Sequence, residues 1–197
     1  MMQIVIATRN DDKYKEIRDI LLDKEIEVLP LKDFPDAPEV EETGATLDEN
    51  ALLKAKSAYE ATGLPSLADD TGLMVDELKG APGVMSARFA GENATYGDNC
   101  SLLLSKLNGV QAEKRSAKFI CIAALVDASE SIITRGEVRG VILTEPRGEN
   151  GFGYDPIFLP DQSELSFGEM TTEEKKLIGH RGKAFSEMLG KIKDMYR

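Results

Sequence analysis

Residues 117–143 read AKFICIAALVDASESIITRGEVRGVIL, and this stretch decides the fold class. It contains two runs rich in β-branched and other apolar residues, Ala117–Val126 and Ser131–Leu143. Only the polar segment 127–130 separates them. Two such runs joined by a short polar turn predict a long antiparallel hairpin. We therefore expect the fold to be built around a β-sheet.

Helices and strands alternate outward from this hairpin, which indicates an α/β protein with one elongated mixed sheet flanked by helices. The motif Thr46-x-x-Glu49 is a capping box and predicts a helix to about residue 61. A second box, Thr171-x-x-Glu174, predicts a short helix. The other expected elements are strands at 3–8, 25–29 and 156–159, a strand at 66–72 that runs into an acidic turn, and helices at 95–107 and 181–196.

Composition limits the classes of partner. The 197 residues carry a net charge of −11, whereas proteins that coat nucleic acid have surplus Lys and Arg. No apolar run reaches the roughly 18–20 residues of a membrane span, and the N-terminal run Ile4–Ala7 is too short for a secretion signal. Cys100, Cys121 and His180 are too few for cysteine-based or multi-histidine metal sites. We expect a cytoplasmic protein with no membrane or nucleic-acid partner, in which local cations could still bind a small phosphorylated ligand.

The turn from Thr8 to Lys13 is the first candidate site. A strand, a polar turn and a helix leave backbone N–H groups free at the helix N-terminus, where anions bind favourably. Thr8 and Asn10 add side-chain donors, and Lys13 adds a positive charge. Taken alone, the turn is better explained as an ordinary helix cap with an exposed lysine, because such caps are frequent.

Two pairs of acids form the second candidate site. Asp69 and Asp70 follow a buried strand, and Glu41 and Glu42 lie in a polar loop. Adjacent carboxylates repel one another unless a cation is present, and Mg²⁺ prefers oxygen ligands of this kind. A solvated acidic turn and ordinary loop charge are the alternatives.

The third and fourth candidate sites lie in the C-terminal third of the chain. Gly148–Pro156 places glycines beside Phe152 and Tyr154, so a flat ligand could approach the backbone while a ring packs on it. Asp155 is expected to be extended because a proline follows it. Cations at 175, 180 and 181 surround a helix–helix junction, and those in the first turn of the last helix oppose its dipole, which suggests an anionic ligand.

The order of these motifs resembles the inosine/xanthosine triphosphate pyrophosphatase family over about residues 3–190. The matching motifs are Thr8-x-Asn-x-x-Lys13, Glu41-Glu-Thr-Gly44, Glu49-Asn-Ala-x-x-Lys54-Ala, Ala68-Asp-Asp-Thr-Gly72-Leu, Pro82-Gly-Val-x-Ser-Ala-Arg88-Phe-Ala-Gly91, Gly151-Phe-Gly-Tyr-Asp-Pro156 and Gly179-His-Arg-Gly-x-Ala184. Arg9 and Gly179 depart from the family pattern, where many members have Gly and Ser.

The resemblance implies a single catalytic domain over residues 1–197, with a curved sheet and a cleft between two lobes. It also implies a homodimer that uses Mg²⁺ to hydrolyse purine nucleoside triphosphates such as ITP, dITP and XTP to the monophosphate and pyrophosphate.

The same resemblance implies roles for individual residues. Asp70 would be the general base and a metal ligand, assisted by Asp69 and by one of Glu41 and Glu42, with Glu41 preferred. Thr71 would contact the substrate. The other residues implied in substrate binding are Thr8, Arg9, Asn10, Asp11, Asp12 and Lys13 in the phosphate turn, Lys54, and Phe152, Gly153, Tyr154, Asp155, Lys175, His180 and Arg181 in the base pocket and triphosphate clamp.

Three other functions stay open on the sequence. The chain could hydrolyse modified pyrimidine or methylated nucleotides, as the related Maf-like proteins do. It could instead be a nucleotide sensor without hydrolysis, although adjacent Asp69 and Asp70 would give a pure polyanion binder little advantage. An acidic scaffold that needs no Mg²⁺ is the third.

Overall fold

A computed structural model describes residues 2–161 and 163–195 of the chain. In these ranges seven strands form one sheet in the order β2-β1-β3-β5-β6-β7, and β4 pairs with β3. The strands are β1 (Met2–Ile6), β2 (Ile26–Pro30), β3 (Ser66–Val75), β4 (Pro82–Gly83), β5 (Ser116–Val126), β6 (Ser131–Ile142) and β7 (Phe158–Pro160). The α-helices are α1 (Asp11–Ile20), α2 (Leu47–Thr62), α3 (Tyr96–Lys106), α4 (Thr172–Ile178) and α5 (His180–Met195).

The sheet is mixed, as expected from the sequence. β1 pairs in parallel with β2 and β3, whereas β3–β4 and β6–β7 are antiparallel. β5 and β6 are neighbours joined by a turn in which Asp127 Oδ1 accepts hydrogen bonds from the Ser129 and Glu130 amides. β5 is buried along almost its whole length, which explains its continuous apolar run, while β6 alternates between buried and more exposed positions.

The chain divides into two compact units. Unit 1 comprises residues 1–70, 121–136 and 180–197, and unit 2 comprises residues 71–120 and 137–179. The core of unit 1 contains Ile4, Ile17, Leu67, Cys121 and Phe185, among others. Helices α1 and α5 contact each other there. These helices thus bury their apolar stripes against the central strands β1, β3 and β5.

Unit 2 has a core of its own, with Phe119, Phe158 and Phe167 grouped as an aromatic cluster. Arg115 is buried beside it, and its guanidinium donates to the carbonyls of Leu107, Ile142 and Leu143. The backbone carbonyls at the ends of α3 and β6 are therefore satisfied by one side chain.

Local capping predicts several helix starts correctly. The capping boxes at Thr46 and Thr171 are both formed, and Thr95 forms a third at the start of α3. The predicted end of the last helix at Tyr196 lies outside the described residues. None of the described helices is long and apolar enough to cross a membrane.

Three local expectations are wrong. Asp69 and Asp70 lie inside β3, which continues to Val75, and not in an acidic turn. Asp155 begins a short 3-10 helix, Asp155–Ile157, where an extended conformation was expected. This helix also displaces the predicted strand at 156–159 to Phe158–Pro160. In each case tertiary contacts stabilise a conformation that the local turn signals do not favour.

Candidate active site

The two aspartates in the middle of β3 have almost no solvent exposure, 2% for Asp69 and 5% for Asp70. Side chains alternate along a strand, so consecutive carboxylates point to opposite faces of the sheet. Their partners agree with this geometry. Asp69 contacts residues of α1 and α5, whereas Asp70 contacts residues of α2.

Asp69 is held by two cations. Its Oδ2 lies 3.2 Å from Lys13 Nζ and 3.2 Å from Arg181 Nη2. Arg181 is itself buried, and its Nη1 donates to Glu16 Oε2. Burial alone would lower the pKa of Arg181, but the carboxylates of Asp69 and Glu16 outweigh this effect and raise it. The group is a buried network of alternating charges, with Arg181 permanently protonated.

Asp70 has a different set of partners. Its Oδ2 accepts a 3.1 Å hydrogen bond from Asn50 Nδ2, and its Oδ1 lies 3.4 Å from Lys54 Nζ. Burial raises the pKa of the Asp70 carboxyl and Glu42 adds to this, while Lys54 opposes it. A carboxylate with a raised pKa is a better proton acceptor than an exposed one, so Asp70 is suited to act as a general base.

Lys54 connects Asp70 to the loop that precedes α2. Its Nζ lies 2.5 Å from Glu42 Oε1. Burial would lower the pKa of Lys54, but Asp70, Asp69 and Glu42 together raise it. The ammonium group therefore stays protonated between two carboxylates, in a position where a cation is favoured.

The predicted ligand trio of Glu41, Asp69 and Asp70 does not come together. Glu41 is exposed. Its neighbour Glu42 pairs with Lys54, which also contacts Asp70. Asp69 is ion-paired through Lys13 and Arg181. Across residues 2–161 and 163–195, no group of three or more His, Cys, Asp and Glu side chains is arranged to hold a metal.

The turn before α1 is a formed helix cap. Asn10 Oδ1 accepts hydrogen bonds from the backbone N–H groups of Asp12 and Lys13. The backbone N–H of Asn10 donates to Thr8 Oγ1. Arg9 donates to the Ala37 carbonyl at 2.8 Å. From this turn the Lys13 side chain reaches Asp69. The exposed Asp11 instead lies 3.9 Å from Lys32.

Unit 2 contains the candidate base-binding residues. Lys175 Nζ lies 2.6 Å from Asp155 Oδ2 and 4.8 Å from the centroid of the Phe152 ring. Asp155 Oδ2 also accepts from the Phe152 backbone amide at 2.8 Å. Gly151 has a φ of +71°, and a Cβ there would lie 2.1 Å from Asp155 Oδ2, so only glycine permits this turn. A cation, a carboxylate and a half-buried ring are thus fixed together.

Hydrogen bonds from neighbouring side chains support this loop. The Cys100 thiol donates to the Gly153 carbonyl at 3.3 Å, and burial raises its pKa to about 11. Tyr154 is buried in the core, and its hydroxyl donates to the Ser86 carbonyl. The exposed ring of Tyr96 lies 5.8 Å from that of Phe152. The side chain of Tyr154 therefore packs in the core, whereas Phe152 has the more accessible ring.

The remaining predicted residues divide between the two units. Thr71 is half-buried in β3 directly after Asp70. His180 is buried at the start of α5, where its carbonyl would lie 1.9 Å from a Cβ at Gly136. Lys175 joins Asp155 and Phe152 in unit 2, while Arg181 joins Asp69 and Glu16 in unit 1.

The sequence predictions assign no role to Glu16, Asn50 or Tyr96, and they prefer Glu41 as a metal ligand, whereas the structure places Glu42 beside Lys54. A signal existed for Asn50, since it lies four residues before Lys54 and therefore on the same helix face. Glu16 likewise lies on the same helix face as Lys13, because it follows Lys13 by three residues. Nothing in the local sequence indicates the contact between Tyr96 and Phe152.

Comparison with known proteins agrees with this architecture. A structure of a HAM1 protein from Coxiella burnetii is 41% identical, with a TM-score of 0.89, over 98% of this chain and 100% of that one. The fold class of the present chain is therefore that of the Ham1 proteins. The Ham1 family model (Ham1p_like) matches residues 4–191. Proteins named dITP/XTP pyrophosphatase from Frankia alni and Geobacter sulfurreducens are 48% and 49% identical, over 98% and 94% of both chains respectively. The chain belongs to the Ham1 family, which confirms the resemblance found in its sequence.

Proposed function

We propose that this protein is a nucleoside triphosphate pyrophosphatase that hydrolyses deaminated purine nucleotides, dITP, ITP and XTP, to the monophosphate and pyrophosphate. Relatives that match nearly the whole chain have the name dITP/XTP pyrophosphatase. The observation that carries the proposal is the buried Asp70, whose carboxylate has a raised pKa and is held between Asn50 and Lys54. A pure nucleotide binder has no use for such a group.

Asp70 acts as the general base in this proposal. It accepts a proton from the attacking water while the water oxygen bonds to a phosphorus of the α–β anhydride and the bridging P–O bond breaks. The bond electrons leave with the bridging oxygen, on pyrophosphate if water attacks the α-phosphorus or on the monophosphate if it attacks the β-phosphorus, and the products are the monophosphate and pyrophosphate. Lys54 opposes the rise in the pKa of Asp70, so its ammonium group favours the ionised form of the carboxylate.

A divalent cation, which we propose to be Mg²⁺, fits the residues present. Mg²⁺ is bound through one or two carboxylates and completes its shell with water and substrate phosphate. Asp70 and Glu42 supply two carboxylates that already share one cation, the ammonium of Lys54. When bound, the metal neutralises phosphate charge and lowers the pKa of water. Asp70 and Glu42 would hold it, which replaces the ligand set expected from the sequence.

Lys13, Lys54 and Arg181 are proposed to meet the triphosphate charge. They are the cations that the structure places around Asp69 and Asp70. Positioned cations stabilise the charge that develops on phosphate oxygens during transfer. The expected contacts of Thr8, Arg9 and Asn10 with phosphate remain predictions, because these groups cap α1 or contact Ala37.

The base is proposed to bind at the Phe152 loop of unit 2. The half-buried ring of Phe152 supplies a stacking surface, and Asp155 and Lys175 supply polar groups beside it. Polar mismatch discriminates between bases far more strongly than apolar fit does. The Lys175 ammonium is a donor, and through it a purine with a 6-oxo acceptor would be preferred over one with a 6-amino donor. The homodimer, the cleft, the cytoplasmic location and the single catalytic domain over residues 1–197 also remain predictions.

The test is a product assay with a panel of nucleotides. dITP, ITP and XTP are compared with dATP, dGTP, dUTP and 5-methyl-UTP, with and without Mg²⁺, and phosphate and pyrophosphate are measured separately. We expect pyrophosphate, and no phosphate, from the first three nucleotides when Mg²⁺ is present. Faster turnover of the pyrimidine nucleotides would show that the protein has the Maf-like activity instead. Binding without either product would make it a sensor.

A further inference from the structure

Asn50 is a buried residue of α2 that links two separate parts of unit 1. It is 1% exposed. Its amide nitrogen donates to Asp70 Oδ2 at 3.1 Å, and its amide oxygen accepts from the Gly44 backbone N–H at 2.8 Å. One side chain thus bonds both the acid in β3 and the loop that carries Glu42.

The fit between Asn50 and this loop is close. A Cβ at Gly44 would lie 2.5 Å from Asn50 Oδ1 and 2.8 Å from Glu49 Cβ. The loop can therefore approach α2 this closely only with glycine at 44. The start of α2 is itself fixed by the Thr46–Glu49 capping box. Asn50 is the fourth residue of this helix and therefore projects from a rigid segment.

Only an amide satisfies both partners at once. A carboxylate accepts hydrogen bonds, whereas a backbone N–H donates them, so the side chain between them needs one donor and one acceptor. Aspartate at this position would keep the acceptor and lose the donor. Leucine, of similar size, would lose both.

We propose that Asn50 is a positioning residue for the reaction, which rests on the proposed function of Asp70. Its amide fixes the Asp70 carboxylate in one orientation and holds the segment 42–44 against α2. Asp70 and Glu42 thereby keep their places on the two sides of Lys54. Partners that orient a catalytic carboxylate in this way typically contribute about 10- to 100-fold to activity.

Asn99 provides a matched control in unit 2. It is also buried, at 2% exposure, and lies in the first turns of a capped helix, α3. Its amide donates to the Ala87 carbonyl at 3.1 Å and accepts from the Ala90 N–H at 2.8 Å. Both of its partners are backbone groups, so its substitution removes equivalent hydrogen bonds without affecting Asp70.

The experiment compares Asn50→Asp, Asn50→Leu and Asn99→Leu with the wild type. Hydrogen exchange of the Gly44 amide is measured by NMR without nucleotide or metal, and kcat and KM are measured for dITP with Mg²⁺. Asn50→Asp should keep Gly44 protected while kcat falls about 10- to 100-fold and KM changes less than about threefold. Asn50→Leu should lose both the protection and the activity. Asn99→Leu should melt at a lower temperature with kcat within about twofold.

An unchanged kcat in Asn50→Asp would overturn the proposal, and so would an equal loss of kcat in Asn99→Leu. If Asn50→Leu does not fold, the isosteric Asn50→Asp still decides, because it keeps the Gly44 contact. Failure of the proposed function looks different. In that case the wild type does not release pyrophosphate from dITP, whereas the exchange of Gly44 still reports whether Asn50 holds the loop.

Discussion

Asp69 and Asp70 are consecutive residues of one strand, yet different helices hold their carboxylates. Asp69 pairs with Lys13 of α1 and Arg181 of α5, and Asp70 contacts Asn50 and Lys54 of α2. The alternation of a β-strand separates the two charges onto opposite faces of the sheet. The two aspartates therefore have different partners, and we expect their substitutions to affect different measurements.

Asp70→Asn should abolish turnover and leave binding almost intact. The amide keeps the size of the side chain but cannot accept the proton from water, and loss of a general base costs about 10²–10⁴-fold. We expect kcat for dITP to fall by this factor, while dITP titrated into the variant by calorimetry gives a Kd within about threefold of the wild-type KM. Pyrophosphate release at the wild-type rate would contradict the assignment of Asp70.

Asp69→Asn should instead destabilise the fold. It leaves the buried guanidinium of Arg181 with one carboxylate fewer, and breaking a buried pair costs about 3–5 kcal/mol. Urea unfolding of the two proteins measures the difference. Asp19→Asn is the control, since its pair with Arg18 is on the surface and should contribute less than about 1 kcal/mol. Equal losses in the two variants would show that the Asp69 network adds nothing special.

Lys175→Met should weaken nucleotide binding more than it slows the reaction. The substitution removes the cation that pairs with Asp155 and covers the Phe152 ring. We expect KM for dITP to rise about tenfold, which corresponds to about 1.4 kcal/mol, with kcat within about threefold. Lys176→Met, at the next and less buried position, controls for the loss of charge. A fall in kcat at constant KM would place Lys175 in the chemical step.

Ionisation of the Cys100 thiol should lower the free energy of unfolding of the protein at high pH. Its folded pKa of about 11 exceeds the ordinary thiol value of 9.0, because burial disfavours the thiolate. The protonated thiol therefore contributes stability below pH 9, and this contribution is lost as the pH rises to 11. The expected loss is about 2–3 kcal/mol at about 1.4 kcal/mol per unit.

Unfolding curves of the wild type and Cys100→Ala at pH 8 and pH 11 test this contribution. Tyr154 is present in both proteins; burial raises its pKa and Cys100 adds to this, so the comparison measures the thiol together with its effect on Tyr154. The variant should show a smaller drop in stability between the two pH values. The same drop in both proteins would mean that the thiol ionises equally in the folded and unfolded states.

Local signals in the sequence predict the helices and strands well. The capping boxes at Thr46 and Thr171 define helix starts because both partners lie within four residues. The apolar run of β5 predicts a fully buried strand because such a strand needs no alternation.

Distant contacts explain what the sequence does not predict. Asp69 and Asp70, followed by Thr and Gly, have the composition of a turn, but Arg181, 112 residues away, makes a buried strand position possible for Asp69. Glu41 and Glu42 are equivalent as loop residues, and only the position of Lys54 distinguishes them. Ion pairs between remote residues are not encoded in any local pattern.

The ammonium of Lys54, between Glu42 and Asp70, gives the protein a permanent internal counterion. We therefore expect folding not to depend on divalent ions, because Lys54 already offsets the charge of these acids. Under the proposed requirement for Mg²⁺, the protein without magnesium would be folded but inactive. Hydrolysis would then begin when the ion is added back, without refolding.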